Sequence, residues 1–278
     1  MDLRVDSHQH FWRVSRGDYA WLNPDDPALA PLLRDFAPAD LRPLAQAAGV
    51  VQTVLVQAAD TSAETDFLLD IAARHELVAG VVGWVDMTSA ESVATLERWS
   101  TQPKFKGIRP MLQDLGDADW ITHRPHPEVL SAIARLGLRF VQRHPELPVV
   151  IDHAAKPQLA QGWDAPWAAE WRTQMKSLAA LPQVHCKFSG LLTEAAPAAL
   201  ASVESAVDAL RPVWHDLLAW FGPDRVMWGS DWPVLTLAAS YPRWVAVSEV
   251  LIGELSAAPQ LRVWQDNARR FYALDDAA

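Results

Sequence analysis

The segment Leu3-Arg4-Val5-Asp6-Ser7-His8-Gln9-His10-Phe11-Trp12 reads as a short strand that ends in two histidines one residue apart. Residues two apart on a strand share a face, so His8 and His10 point together from its carboxyl end. Two imidazoles on one face make half a metal site or a polarising pair for an electrophile. The plainer alternative is two partly exposed histidines where a loop begins. The fold is decided by recurrence of the pattern. Val149-Val150-Ile151-Asp152-His153 and Val226-Met227-Trp228-Gly229-Ser230-Asp231 are also apolar strands that end in chemistry-bearing side chains. Functional groups at the carboxyl ends of different strands are the arrangement of a (β/α)8 barrel.

Working outward, short β-rich runs alternate with longer helical stretches, the signature of parallel strands joined by crossover helices. Eight strands are predicted, at 3–7, 53–57, 78–85, 105–109, 138–141, 149–152, 184–189 and 226–230, the number that closes a barrel. Several are continuous apolar runs, as expected of strands covered by helices. Helix ends are legible between them. Pro38-Ala39-Asp40-Leu41 starts a helix that stops at Gly49, and Thr61-Ser62-Ala63-Glu64 has a cap with an acidic residue three positions on. The reading is one α/β domain of the TIM-barrel type over 1–278, with no repeat or linker to divide it. Residues 11–36, with three prolines among them, are too long and irregular for an ordinary βα connection and are read as a lid over the barrel mouth after strand one.

One connection falls short. Between the fifth and sixth strands the chain offers only Val141-Gln142-Arg143-His144-Pro145-Glu146-Leu147, whereas a parallel crossover needs about 10 to 12 residues or more. Either this barrel carries a deletion or a segment is missing from the sequence. The second is preferred, because 141–147 looks like the tail of a helix without its beginning.

Of the 278 residues, 50% are hydrophobic and 21% charged, a globular composition with enough apolar surface for a sizeable core. A net charge of -10 and the lack of any long basic run exclude nucleic acid as an expected partner. The opening Met1-Asp2-Leu3-Arg4-Val5-Asp6 has no leader pattern, and no window approaches the roughly 20 apolar residues of a membrane span, so a cytoplasmic protein is expected. The single cysteine, Cys186, excludes an internal disulfide and a cysteine-rich zinc site, and is expected to be buried and apolar. Oligomeric state is not encoded in any pattern found.

Taken together, His8-Gln9-His10, Asp152-His153 and Gly229-Ser230-Asp231-Trp232-Pro233 resemble the amidohydrolase superfamily. Tyr19-Ala20-Trp21-Leu22, Lys106-Gly107-Ile108-Arg109-Pro110 and Cys186-Lys187-Phe188-Ser189-Gly190 are similar to its branch of sugar-lactone hydrolases, which includes L-fuconolactone and L-rhamnonolactone hydrolases. The resemblance runs from about Asp2 to Leu274. It implies that His8, His10, His153 and Asp231 take the positions of the superfamily's metal-site residues. No histidine stands in Leu138-Arg139-Phe140-Val141, where two-metal members place one, which argues against a two-metal centre. Lactonases of the branch work with or without a metal, so one divalent ion, zinc foremost, and metal-free catalysis both remain open.

The implied activity is hydrolysis of a small-molecule sugar lactone in carbohydrate catabolism. Asp231 would activate water as general base, and His8, His10 and His153 would hold a metal or polarise the carbonyl. Arg109 is the candidate for gripping substrate oxygens, with a structural salt bridge as its alternative. Gln57 would bond a sugar hydroxyl or cap backbone, and Trp12 would wall the pocket. Lys156 is read as a surface or supporting residue, and Lys187 and Ser189 as polar residues facing the barrel interior. His75, His123, His126, His144, His185 and His215 are read as surface or helix histidines. Two rival functions share the barrel. One is a metal-dependent decarboxylase of a small aromatic or muconate-type acid, and the other a non-catalytic metabolite binder.

Overall fold

A computed structural model of the chain describes residues 3–112, 115–117, 119–136 and 148–275. Among the described residues seven strands lie in chain order: β1 Arg4–Gln9, β2 Val50–Val56, β3 Val78–Gly83, β4 Phe105–Ile108, β5 Val149–Ile151, β6 Val184–Phe188 and β7 Val226–Trp228. They form two all-parallel sheets, β1-β2-β3-β4 and β5-β6-β7. The sheets meet where the first strand passes the last. His10 N–H donates to Trp232 O at 2.7 Å, Asp231 N–H to His8 O at 2.8 Å and Ser7 Oγ to Trp228 O at 2.6 Å. The predicted strand at 138–141 and the short link after it lie outside the described residues. The other seven predicted strands are found within a few residues of their expected ends.

Helices join the strands: α1 Pro38–Ala47, α2 Ser62–Arg74, α3 Ser92–Ser100, α4 Trp120–His123, α5 Pro127–Arg135, α6 Pro166–Ala179, α7 Val203–Phe221, α8 Tyr241–Ile252, α9 Ala257–Leu261 and α10 Asn267–Tyr272. α1 begins on its proline, with Asp40 accepting the Ala37 N–H at 2.9 Å. α2 is capped as its sequence indicates, Thr61 Oγ1 accepting the Glu64 N–H at 3.1 Å. The Glu64 carboxylate, however, takes the backbone N–H groups of Ala58 and Ala59 in the preceding loop.

Two apolar clusters follow from this layering. The larger one packs helices against the outer faces of the strands. The smaller one lies inside, where Val5, Val54, Val82, Val150 and Met227 from five strands meet Ala268, Phe271 and Tyr272 of α10. Side chains of several strands filling one interior layer are what a packed barrel core requires. Among the described residues no helix is long and apolar enough to cross a membrane. Cys186 is a buried free thiol.

Residues 11–36 form a loop whose ends are tied together. Trp12 and Phe36 exchange N–H to O bonds of 3.1 and 3.0 Å. Trp12 packs edge-on to Trp21 and Phe36, with its indole donating to Arg34 O at 2.9 Å.

Candidate active site

Each candidate group stands at a strand's carboxyl end, and backbone contacts draw the ends together. The close approach of β1 to the chain after β7 needs Gly229, where a Cβ would come within 3.0 Å of His8 Cβ and 3.1 Å of His8 N. Asp6 ties the same junction, accepting from Ser230 N at 2.8 Å, His8 N at 3.2 Å and Tyr241 Oη at 3.1 Å. Burial pushes the Asp6 carboxyl up to about 6 despite these donors.

The geometry brings His8, His10, His153 and Asp231 into one buried cluster. Asp231 Oδ1 lies 3.2 Å from His10 Nε2, 3.6 Å from His153 Nε2 and 3.8 Å from His8 Nε2. His10 Nδ1 faces Val56 O at 2.8 Å. A carbonyl only accepts, so that nitrogen carries the hydrogen and Nε2 turns its lone pair inward in the neutral ring. His153 Nδ1 pairs with Ser189 Oγ at 2.9 Å, which leaves its Nε2 toward Asp231.

His153 is delivered by an unusual turn. His153, Ala154, Ala155 and Lys156 all have positive φ, between 48° and 57°. Left-handed backbone costs roughly 1–2 kcal/mol per non-glycine residue, so the surroundings must hold it. Trp171 Nε1 does so by donating to Ala154 O at 2.8 Å. The turn also breaks strand alternation, so that Asp152 and His153, adjacent in sequence, both face the cluster.

Asp152 is the site residue that the sequence reading passed over. Its Oδ2 lies 3.0 Å from Arg109 Nε, and its Oδ1 lies 2.9 Å from Lys187 Nζ and 3.3 Å from His8 Nδ1. Burial alone would raise the Asp152 carboxyl, but Lys187, His8 and Arg109 outweigh it and hold it well below the usual carboxylate range. Lys187 is itself buried, and Asp152 raises its ammonium above the ordinary lysine value against the effect of burial. Burial and the Lys187 charge push the His8 ring well below the usual imidazole range, and burial brings His153 down to about 4. Both rings are therefore neutral at physiological pH. Burial would raise the Asp231 carboxyl too, yet it is held below the usual carboxylate range, the charge of His153 when protonated being the largest opposing cause.

The remaining candidates divide. Arg109 makes the Asp152 ion pair and donates from Nη1 to Gln57 O at 3.1 Å, with a quarter of its side chain exposed. Gln57 returns a bond from Nε2 to Arg109 O at 2.9 Å, the capping role weighed for it, and its Oε1 is buried with no partner among the described residues. Trp12 is buried, and its contacts described above are within the 11–36 loop. Lys156 lies half-exposed, 4.0 Å from Glu194 Oε1. His123 and His215 pair with acidic neighbours on the surface, and His126 caps α5. His144 lies outside the described residues.

The donor set fits one metal ion. His8, His153 and Asp231 offer ligand atoms within 4.8 Å of one another, and His10 Nε2 adds a fourth, 3.2 Å from both His8 Nε2 and Asp231 Oδ1. Imidazoles plus one carboxylate are a zinc donor set. His8 alone has a cation, Lys187, against its outer nitrogen.

The chain is similar over almost its whole length to known proteins. Residues 5–274 match the family described as Amidohydrolase. An L-fucono-1,5-lactonase from Burkholderia ambifaria is 41% identical over 99% of this chain and 97% of its own length. An L-fucono-1,5-lactonase from Burkholderia multivorans is 37% identical over 99% and 98%. The crystal structure of an amidohydrolase from Burkholderia multivorans with bound zinc superposes with a TM-score of 0.87 at 35% identity, covering 98% of this chain and all of the other. That likeness implies a TIM-type barrel.

Proposed function

The chain belongs to the amidohydrolase family, and from that premise we propose that it is a lactonase opening a sugar-derived lactone of the L-fucono- or L-rhamnonolactone kind to the aldonic acid. The observation that carries the reading is a buried Asp231 carboxyl facing three imidazoles at 3.2 to 3.8 Å. This sets a proton acceptor beside imidazoles able to hold a metal or, through a ring N–H, to bind a carbonyl oxygen. A water between Asp231 and the substrate loses its proton to the carboxylate as its oxygen attacks the lactone carbonyl carbon. Arg109 and an imidazole N–H stabilise the tetrahedral oxyanion. On collapse the ring C–O bond breaks, and the proton held on Asp231 passes to the departing ring oxygen.

Zinc, when bound by His8, His10, His153 and Asp231, would polarise the carbonyl and acidify water. Arg109 orients the substrate through the exposed part of its guanidinium. The buried Oε1 of Gln57 is an acceptor suited to a sugar hydroxyl. We read the parallel strands as parts of one eight-stranded barrel domain, with 11–36 as a lid. Two contacts support the lid: Trp21 Nε1 donates to Ala58 O at 2.7 Å, and Thr61 Oγ1 to Asp18 Oδ2 at 3.2 Å, so the loop is fastened beside the end of β2. Trp12 serves this lid as its packing centre.

The test is acid release from L-fucono-1,5-lactone and a panel of related lactones, followed with a pH indicator. Turnover above the spontaneous rate is expected. Carbon dioxide release from a carboxylated aromatic acid without lactone turnover would establish the decarboxylase instead, and binding with neither reaction would establish the metabolite binder.

A further inference from the structure

Lys187 is 1% exposed on β6, and its ammonium touches two groups of the cluster: His8 Nδ1 at 3.0 Å and Asp152 Oδ1 at 2.9 Å. An ammonium carries three donors and no acceptor. A ring nitrogen 3.0 Å from it must therefore present a lone pair, and a neutral imidazole with its lone pair on Nδ1 carries its hydrogen on Nε2. We propose that Lys187 is a positioning residue that holds His8 in the Nε2–H tautomer, so that His8 serves the site as a hydrogen-bond donor and joins a metal only by giving up its contact with Lys187.

The contrast with the neighbouring rings supports this. His10 has a carbonyl at Nδ1, which accepts a ring N–H and leaves Nε2 free as an inward lone pair, and His153 has a hydroxyl there, which can accept a ring N–H in the same way. For His8 to match them, Nδ1–H would have to donate to Asp152 Oδ1 at 3.3 Å. The Lys187 ammonium, 2.9 Å from the same carboxylate oxygen and 3.0 Å from the ring nitrogen, would then confront that N–H. With the hydrogen on Nε2, the two cations of the site, Lys187 and Arg109, both keep their ion pairs with Asp152. The His8 N–H is then placed 3.2 Å from the His10 Nε2 lone pair and 3.8 Å from Asp231 Oδ1, ready to turn to a carbonyl oxygen. Ordinarily a carboxylate partner on the outer nitrogen of a histidine favours ligation; here the lysine opposes it.

The inference rests on the reading of these four residues as the site but not on the identity of the substrate. Its test uses the chelator-treated full chain labelled with 15N-histidine, in which ring 15N shifts and two-bond couplings distinguish the tautomers, and loss of signals in His8→Gln assigns them. Wild type is expected to show His8 as Nε2–H, Lys187→Arg to keep it, and Lys187→Met to move it to Nδ1–H. Zinc affinity, measured by competition with a chromophoric chelator, should tighten about tenfold or more in Lys187→Met. A wild-type His8 in the Nδ1–H form overturns the proposal, and that spectrum needs no variant to fold. Unchanged tautomer and zinc affinity in folded Lys187→Met overturn it as well. Failure of the lactonase reading would show in acid release and leave these spectra as they are.

Discussion

Asp231 Oδ1 stands 3.2 Å from His10 Nε2, at the junction where the first strand and the chain after the last are stitched backbone to backbone. The carboxylate can neither retreat nor be replaced by a neighbour. Asp231→Asn keeps the shape and removes the proton acceptor. Turnover is expected to fall by about 10²–10⁴-fold, the usual contribution of a positioned general base, with the circular dichroism spectrum and urea midpoint near those of wild type. Retained turnover would mean that another group takes the proton.

Gly190 defends the other side of the cluster. A Cβ there would lie 2.5 Å from His153 Nδ1 and 3.0 Å from Asp231 Oδ2, at a backbone φ of 60°. The imidazole is backed by Ser189 and cannot yield without leaving Asp231. Gly190→Ala should lower kcat/KM by roughly 10²-fold, the scale of an ångström of misplacement, and destabilise the fold by about 1–2 kcal/mol from the left-handed backbone. Kinetics alongside urea titration separate the two effects, and unchanged kinetics would show that His153 is not needed where it sits.

How much of this was legible follows from periodicity. Apolar runs bounded by turns located seven strands, and the side chains at the ends of three of them pointed to His8, His10, His153 and Asp231. Lys187 and Ser189 were recognisable as sharing one face of β6, because two-residue spacing survives to the strand end. Asp152 was not, because alternation sends consecutive residues to opposite faces, and choosing His153 discards its neighbour. Only a left-handed turn puts both inside. Asp152-His153-Ala154-Ala155-Lys156 contains no glycine to announce one. Flanking a site residue in sequence likewise does not decide which way an indole packs, and Trp12 packs on Trp21 and Phe36.

That turn offers a clean test of stored strain. Ala155 is exposed with φ 57°, so Ala155→Gly removes almost no packing. Relief of the left-handed penalty outweighs the entropy that glycine loses on folding, and a gain of up to about 1 kcal/mol is expected. It should appear as a higher urea midpoint with an unchanged m-value. A loss of stability would mean that the four-residue run is not strained as its dihedrals indicate.

Glu64 links stability to pH. Its side chain is fully buried at the start of α2, and burial pushes its carboxyl up to about 8 although the Ala58 and Ala59 N–H groups favour the charged form. A carboxyl whose folded pKa lies above its unfolded value binds its proton more tightly in the fold. Its stabilising contribution is complete below the unfolded value of 4.5 and is lost as pH rises through about 8. Wild type should therefore lose stability between pH 5 and 9, by a few kcal/mol at this group alone. Glu64→Gln keeps an oxygen for the two backbone donors and has no proton to lose, so its urea midpoint should be flatter over that interval and higher than wild type at pH 9. Parallel curves for the two proteins would show that the carboxyl ionises in the fold as readily as in the unfolded chain.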